Sequence, residues 1–339
     1  MVLNSFLVNG VLGVRNTGDF VSAVSQLVSL RDSIDIGKKL GPKLFVSGII
    51  VNDRDANKVL EYFNVKSYKE VVTKYKEMGV DGIKFKLLDK QIAEEVINQS
   101  LSLKLNVFGH TANGRYWDID TLNYNGDFSI KAIDKGINGI LHLGEYAQYD
   151  KIKAPSYGFD IKDGNWVEHW ERIWIHNYIL WNYIDEIREE KLIDTAIKNK
   201  VWIEPTLLWE SSHIYKSEFY KKPYYSYYFG NAKEIITWFP KPTKSELIEL
   251  QKADQKRYSF IKRFYNKGGV VLVGTDGNVY GFELIEEMKL LVKAGIPVSA
   301  VIKAATFNNS KALGWLDTMG TISIGKKANL ILLYVFKLK

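Results

Sequence analysis

The stretch Lys76-Glu77-Met78-Gly79-Val80-Asp81-Gly82-Ile83-Lys84-Phe85-Lys86 holds a complete helix-to-strand transition. The amphipathic run Tyr68–Met78 predicts a helix. Gly79 supplies the left-handed residue that commonly ends one, and Gly82–Lys86 reads as a short strand. The same device recurs at Asp134-Lys135-Gly136-Ile137, ahead of a strand at Gly139–His142. Further strands are expected at Val11–Arg15, Lys43–Ser47, Asn106–Gly109, Val201–Pro205 and Val270–Gly274, with helices over Gln91–Leu101 and Lys191–Lys200. Strands that alternate with helices form parallel βα units. Seven such units in a chain of 339 residues predict a (β/α)8 barrel of the TIM type rather than an open sheet.

Composition narrows the function. The chain is 46% hydrophobic and 25% charged, with 26 Gly and seven Pro, which excludes disordered and fibrous classes. It has no Cys, so disulfides, thiolate metal sites and a Cys nucleophile are all ruled out. The net charge is +7, but Lys supplies most of it and its residues are scattered in pairs such as Lys38-Lys39 and Lys326-Lys327. Nucleic-acid readers rely on the bidentate Arg fork, so no specific nucleic-acid partner is expected. No apolar run approaches membrane-spanning length, and Met1 to Val14 lacks a basic n-region. A soluble cytoplasmic protein with no membrane partner is expected. Trp170, Trp174 and Trp181 recur at helical spacing and read as a buried helix face. The run Tyr224-Tyr225-Ser226-Tyr227-Tyr228 reads as an extended loop.

Chemistry gathers at the strand ends, where barrel enzymes build their sites. Gly82–Lys86 carries Lys84 and Lys86 on one face. Asn106–Gly109 runs into His110, Gly139–Leu141 into His142, and Val270–Gly274 into Thr275-Asp276. Only five His occur in the chain, and two of them occupy strand ends. Neutral imidazoles bind Zn²⁺ or a similar ion. A Lys at the base of an apolar barrel is pushed towards its neutral amine, which can take up CO₂ as a carbamate. An Asp beside the ion can take a proton from water and return it to a leaving amine.

These features resemble the amidohydrolase superfamily, in its prolidase-like and imidazolonepropionase-like branch. The resemblance runs from about Phe6 to about Leu333. It is sharpest at Gly274-Thr275-Asp276-Gly277, Ala304-Ala305-Thr306-Phe307-Asn308, Met319-Gly320-Thr321-Ile322 and Gly325-Lys326-Lys327-Ala328-Asn329-Leu330. Gly10 to Asn16, Gly41 to Gly48 and Glu204-Pro205-Thr206-Leu207 are similar to further strand motifs of the family. The resemblance implies that Lys84 is the carbamylated bridge, with Lys86 the alternative. It implies that His110 and His142 bind a divalent metal, zinc first, as one or two ions. Asp276 would be both a ligand and the catalytic proton shuttle. Asn113 and Arg115, in the loop after His110, and His213 are the candidate substrate-binding residues. His169 and His176 match no ligand position.

The family's first barrel strand ends in His-x-His, and this sequence has no such motif. The expectation is therefore an amidohydrolase barrel over residues 1–315 from which the first strand is absent, through truncation or loss. Residues 316–339, with a strand at Leu330–Phe336, would be a remnant of a small β domain. The function expected is metal-dependent hydrolysis of an amide-type C–N bond in a small molecule, such as an Xaa-Pro dipeptide, an N-acyl amino acid or a cyclic amide. Whether the chain without His-x-His is active stays open. The rival is a non-catalytic protein binding a small ligand on the same scaffold. Open strand edges favour a homo-oligomer.

Overall fold

The computed structural model of the chain describes residues 2–17, 21–51, 56–86, 90–111, 127–146, 153, 175–214, 242–277 and 280–331. Helix α1 (Val2–Val8) precedes strand β1 (Gly13–Asn16), α2 (Val21–Asp35) and β2 (Lys43–Val51). Then follow α3 (Ala56–Phe63), α4 (Tyr68–Glu77), β3 (Gly82–Lys86), α5 (Lys90–Ser102), β4 (Asn106–Gly109), α6 (Asp127–Asp134) and β5 (Gly139–Leu141). The remaining elements are α7 (Glu186–Lys198), β6 (Trp202–Glu204), α8 (Leu207–Ile214), α9 (Lys244–Asn266), α10 (Phe282–Lys293), α11 (Val298–Lys303), a π-turn at Ala304–Asn308 and α12 (Asn309–Ala312).

All six strands are parallel and lie in sequence order, β1 to β6. The sheet is a parallel half-barrel of six strands, a partial TIM-type barrel in keeping with the expected absence of a first strand, with one strand fewer than the seven expected. The predicted seventh strand, Val270–Gly274, reaches the sheet through a single parallel bridge, Ile203 to Val271. Its N–H and C=O groups on the far side find side chains instead of a strand. Asn309 accepts from the Val273 N–H (3.1 Å) and donates to the Val273 carbonyl (2.9 Å), while Asn308 donates to the Val271 carbonyl (2.9 Å). The π-turn sets these two consecutive amides against the same edge. Peptide groups that would otherwise be orphaned are thereby satisfied.

Strand alternation divides the core in two. Ile83, Phe85, Val107, Ile140 and Ile203 face outward and pack under helix residues such as Val72, Ile97, Ile133, Ile193 and Phe260. Phe45, Phe108, Leu141, Trp202 and Leu272 face the concave side and form a second cluster, covered by Ala312, Leu313 and Trp315. Gly139 belongs to this inner face. A Cβ there would stand 2.1 Å from the Trp202 indole, so the ring crosses the strand where no side chain is present.

Helix ends follow the predicted chemistry. Gly79 and Gly136 take positive φ, and Lys104 and Lys200 do the same work without being glycine. Ser67 and Thr243 close capping boxes at α4 and α9. Trp181 is buried and meets Phe260 edge to face, yet it lies in a short 3₁₀ turn rather than on the expected helix, and Trp170 and Trp174 fall outside the described residues. The Tyr224–Tyr228 run also falls outside them. Residues 316–331 contain no strand, and the strand expected at Leu330–Phe336 lies mostly outside the described residues. No described helix is long and apolar enough to cross a membrane.

Candidate active site

Four of the expected site residues lie towards the carboxyl ends of β3, β4, β5 and the Val270–Gly274 segment beyond β6. Lys84 points inward from β3 and is buried. His110 follows β4, and its N–H donates to the Phe85 carbonyl (3.0 Å), carrying the ladder one residue past the strand. His142 follows β5 in the same manner, donating from its backbone to the Glu204 carbonyl (2.9 Å). The two imidazoles pack with centroids 4.5 Å apart and planes inclined by 51°. Asp276, from the Val270–Gly274 segment, brings a carboxylate oxygen to 3.7 Å from His142 Nε2.

Backbone geometry at this rim is unusual. His142 (φ 61°), Thr206 (φ 46°) and Asp276 (φ 46°) are left-handed without being glycine. Such a conformation costs a side-chain-bearing residue about 1–2 kcal/mol. Its recurrence at three strand ends that touch one another marks a constellation fixed by its surroundings. Thr206 Oγ1 lies 2.8 Å from His142 Nδ1, in a buried pair. The Trp209 ring stands 6.1 Å from that of His142 and gives the mouth an aromatic wall.

Burial sets the protonation states. It drives both imidazoles well below their ordinary range, helped at His110 by Lys84 and Lys86, and at His142 by His110 and the lysines, so both are neutral near pH 7. Burial lowers Lys84 to about 8, against the pull of Asp276 and with the help of Lys86 and Arg15. Asp276 is raised above the ordinary carboxylate range, first by desolvation among the crowded strand ends, with Lys84 opposing; 38% of its side chain is open at the rim.

The donor set suits a divalent ion chemically: two neutral imidazoles, a carboxylate and a lysine whose amine is accessible near neutral pH. Among the described residues no three His, Asp or Glu side chains come together as ligands of one ion.

Asn113, Arg115 and His169 lie outside the described residues, as does the side chain of His213 in α8. His176 is buried, and burial lowers it to about 4. Four residues join the site without having been singled out for it. Arg15, from β1, pairs with Glu204 at the end of β6 (2.5 Å). Thr206 bonds His142. Glu287, on α10, is fully buried and accepts from the Leu207 and Leu208 N–H groups. Glu204 carried a signal, since it too is a polar residue at a strand end. Glu287 carried none, because its partners are 79 and 80 residues away.

Residues 174–338 match the sequence model of the Amidohydrolase family. A 5-methylthioadenosine/S-adenosylhomocysteine deaminase from Thermoanaerobacter pseudethanolicus is 33% identical over 88 residues, a stretch covering 23% of this chain and 20% of the deaminase. Among solved structures, a Xaa-Pro dipeptidase with methionine bound in its active site superposes with a TM-score of 0.59 at 19% identity, covering 96% of this chain and 70% of the dipeptidase. A bottromycin amidohydrolase gives a TM-score of 0.59 at 16% identity, over 93% of this chain and 64% of its own.

Proposed function

We propose, from the match of residues 174–338 to the Amidohydrolase family model, that the chain is a metal-dependent hydrolase of amide-type C–N bonds in a small substrate. The observation that carries this reading is the meeting of Lys84, His110, His142 and Asp276 at the strand ends of a parallel half-barrel. Xaa-Pro dipeptides, N-acyl amino acids and cyclic amides are the substrate classes that fit such a centre.

In this reading His110, His142, carbamylated Lys84 and Asp276 would hold one or two divalent ions, with zinc as the first choice. A bound ion supplies Lewis acidity, polarising the scissile carbonyl and acidifying a water molecule. The chain's own residues do the rest. Asp276, whose proton affinity is raised, accepts a proton from the attacking water and delivers it to the departing nitrogen. The neutral imidazoles keep their lone pairs for ligation. Trp209 presents a flat apolar face beside His142, against which a substrate side chain or ring can lie. In localisation and partners the reading is of a cytoplasmic enzyme that acts on a small molecule and engages neither membrane nor nucleic acid, and that self-associates through its strand edges.

The test is metal content after incubation with Zn²⁺, Co²⁺ or Mn²⁺ and bicarbonate, beside His142→Ala, followed by assay of Xaa-Pro dipeptides and N-acyl amino acids. One or two ions per chain, lost in the variant, together with hydrolysis, support the reading. No ion at any stoichiometry overturns it. Retained small-ligand binding without metal would move the assignment to a binding protein on this scaffold.

A further inference from the structure

The mechanism proposed above leaves one fully buried carboxylate without a task. Glu287 sits in α10, the helix that follows the Asp276 loop, and is 0% exposed. One of its oxygens accepts from the Leu207 N–H (3.0 Å) and the other from the Leu208 N–H (2.7 Å), the first two residues of α8. These are orphan donors of a helix start, and a carboxylate that takes both fixes the entry of the chain into that helix. Immediately before them stands Thr206, left-handed and buried, with its hydroxyl 2.8 Å from His142 Nδ1. The other nitrogen of that ring, Nε2, faces Asp276 at 3.7 Å, too far for a hydrogen bond of its own. A second tie holds the same corner, since the Leu143 N–H donates to the Pro205 carbonyl (2.9 Å).

We propose that Glu287 and Thr206 are positioning residues of the centre: Glu287 clamps the start of α8 so that the Thr206 hydroxyl accepts from His142 Nδ1–H and leaves the Nε2 lone pair aimed at the Asp276 side. The hydrogen bond on one ring nitrogen decides which nitrogen is free for a ligand. Thr206 is the only group the structure places against Nδ1 among the described residues. Its left-handed backbone would relax without a restraint, and Glu287 supplies that restraint from the helix that also carries the chain away from Asp276. One clamp thus sets the relation between the His142 and Asp276 segments. The inference rests on the hydrolase reading for the use made of Nε2, but its geometry is testable without any turnover.

The experiment is long-range ¹H–¹⁵N NMR of histidine-labelled, metal-free protein near neutral pH, where His142 is neutral, with the His142 signals assigned by their loss in His142→Gln. Wild type is expected to show His142 in the Nδ1–H form. Thr206→Val is expected to move it towards the Nε2–H form, Thr206→Ser to restore it, and Glu287→Gln to give an averaged signal. Calorimetric titration with Co²⁺ alone is expected to weaken by about 10–100-fold in Thr206→Val and to recover in Thr206→Ser. An Nε2–H form in wild type, or a His142 signal unmoved by Thr206→Val, overturns the proposal. Should Glu287→Gln fail to fold, the Thr206 pair still decides the tautomer, and Glu287→Asp, which keeps one acceptor in reach, tests the clamp. The expected tautomer in a protein that binds no metal would leave the relay standing and sink the hydrolase reading instead.

Discussion

Arg15 and Glu204 meet across the concave face of the half-barrel, with Nη2 2.5 Å from Oε2 and 189 residues of chain between them. One stands on the first strand and the other on the last, and their side chains are only 6% and 12% exposed. The guanidinium lies over the Phe108 and Trp202 rings, 4.4 and 4.9 Å from their centroids. This pair ties the two ends of the sheet beneath the candidate site. A buried pair contributes little net stability, yet losing one partner strands a charge, at about 3–5 kcal/mol. Arg15→Met is therefore expected to destabilise by that order. Arg15→Met combined with Glu204→Leu should recover most of the loss. Urea denaturation of both single variants and the double variant measures the coupling, and simple additivity would count against the tie.

Lys84 gives the metal-free protein a pH signature. Burial brings its ammonium down to about 8 from an ordinary 10.5. Between those values the unfolded chain binds more protons than the folded one, so stability rises with pH through that window. Below pH 8 the folded state bears the full cost of the buried charge, which a shift of this size puts at about 3 kcal/mol. In CO₂-free buffer the difference in stability between Lys84→Met and wild type should favour the variant at pH 7 and shrink by pH 10. With bicarbonate, metal loading of wild type should rise as pH climbs towards and past 8, because the neutral amine is the form that takes up CO₂. A pH-independent difference would place Lys84 in solvent.

Glu287 slopes the other way. Burial raises its carboxyl to about 8 from an ordinary 4.5, against the two backbone N–H groups that favour the anion. The folded state holds its proton to higher pH than the unfolded chain. Stability is thus fully present below pH 4.5 and is lost as pH rises through about 8. Glu287→Gln removes this slope. Relative to wild type it should lose about 1 kcal/mol at pH 4.5 for the weakened helix clamp. At pH 8.5 it should gain on the order of a few kcal/mol. Denaturant midpoints at the two pH values give the comparison, and parallel curves would refute the burial-raised carboxyl.

What could be read from the sequence was local. Gly82–Lys86 and Asn106–Gly109 form as strands over those residues, since each is a short apolar run set off by helix-ending residues. The left-handed exits at Lys104 and Lys200 escaped notice because lysine gives no sign of the glycine-like conformation that the helix-to-strand turn imposes. The strand-end rule placed His110, His142, Lys84 and Asp276 in one region because the fold carries every strand end to the same face. Arg15–Glu204, Thr206–His142 and Glu287–Leu208 are pairings across 189, 64 and 79 residues. No periodicity encodes a contact of that range. The strand expected at Leu330–Phe336 falls mostly outside the described residues, and the preceding Ile322 and Ile324 are exposed, at 89% and 107%.

The same limit explains the seventh strand and yields a further prediction. Val270–Gly274 has strand character and a single described bridge to the sheet, and its far edge is occupied by the Asn308 and Asn309 side chains. Asn309 serves both the N–H and the carbonyl of Val273, and Asn308 serves the carbonyl of Val271. Three residues beyond Val273 stands Asp276, so these amides also hold the segment that delivers the carboxylate. Asn309→Leu leaves two backbone groups unsatisfied at about 1–3 kcal/mol each, and should destabilise by the low end of that sum as water enters the edge. Asn309→Asp keeps one acceptor for the Val273 N–H but sets an anion against its carbonyl, so it should recover less than half of the loss. Hydrogen exchange at the Val273 amide reads the effect directly: exchange at that amide should quicken in Asn309→Leu far more than at Val107 in the central strand β4. Equal acceleration at both sites would mean that the substitution lowers global stability and that the amide pair does not anchor this edge.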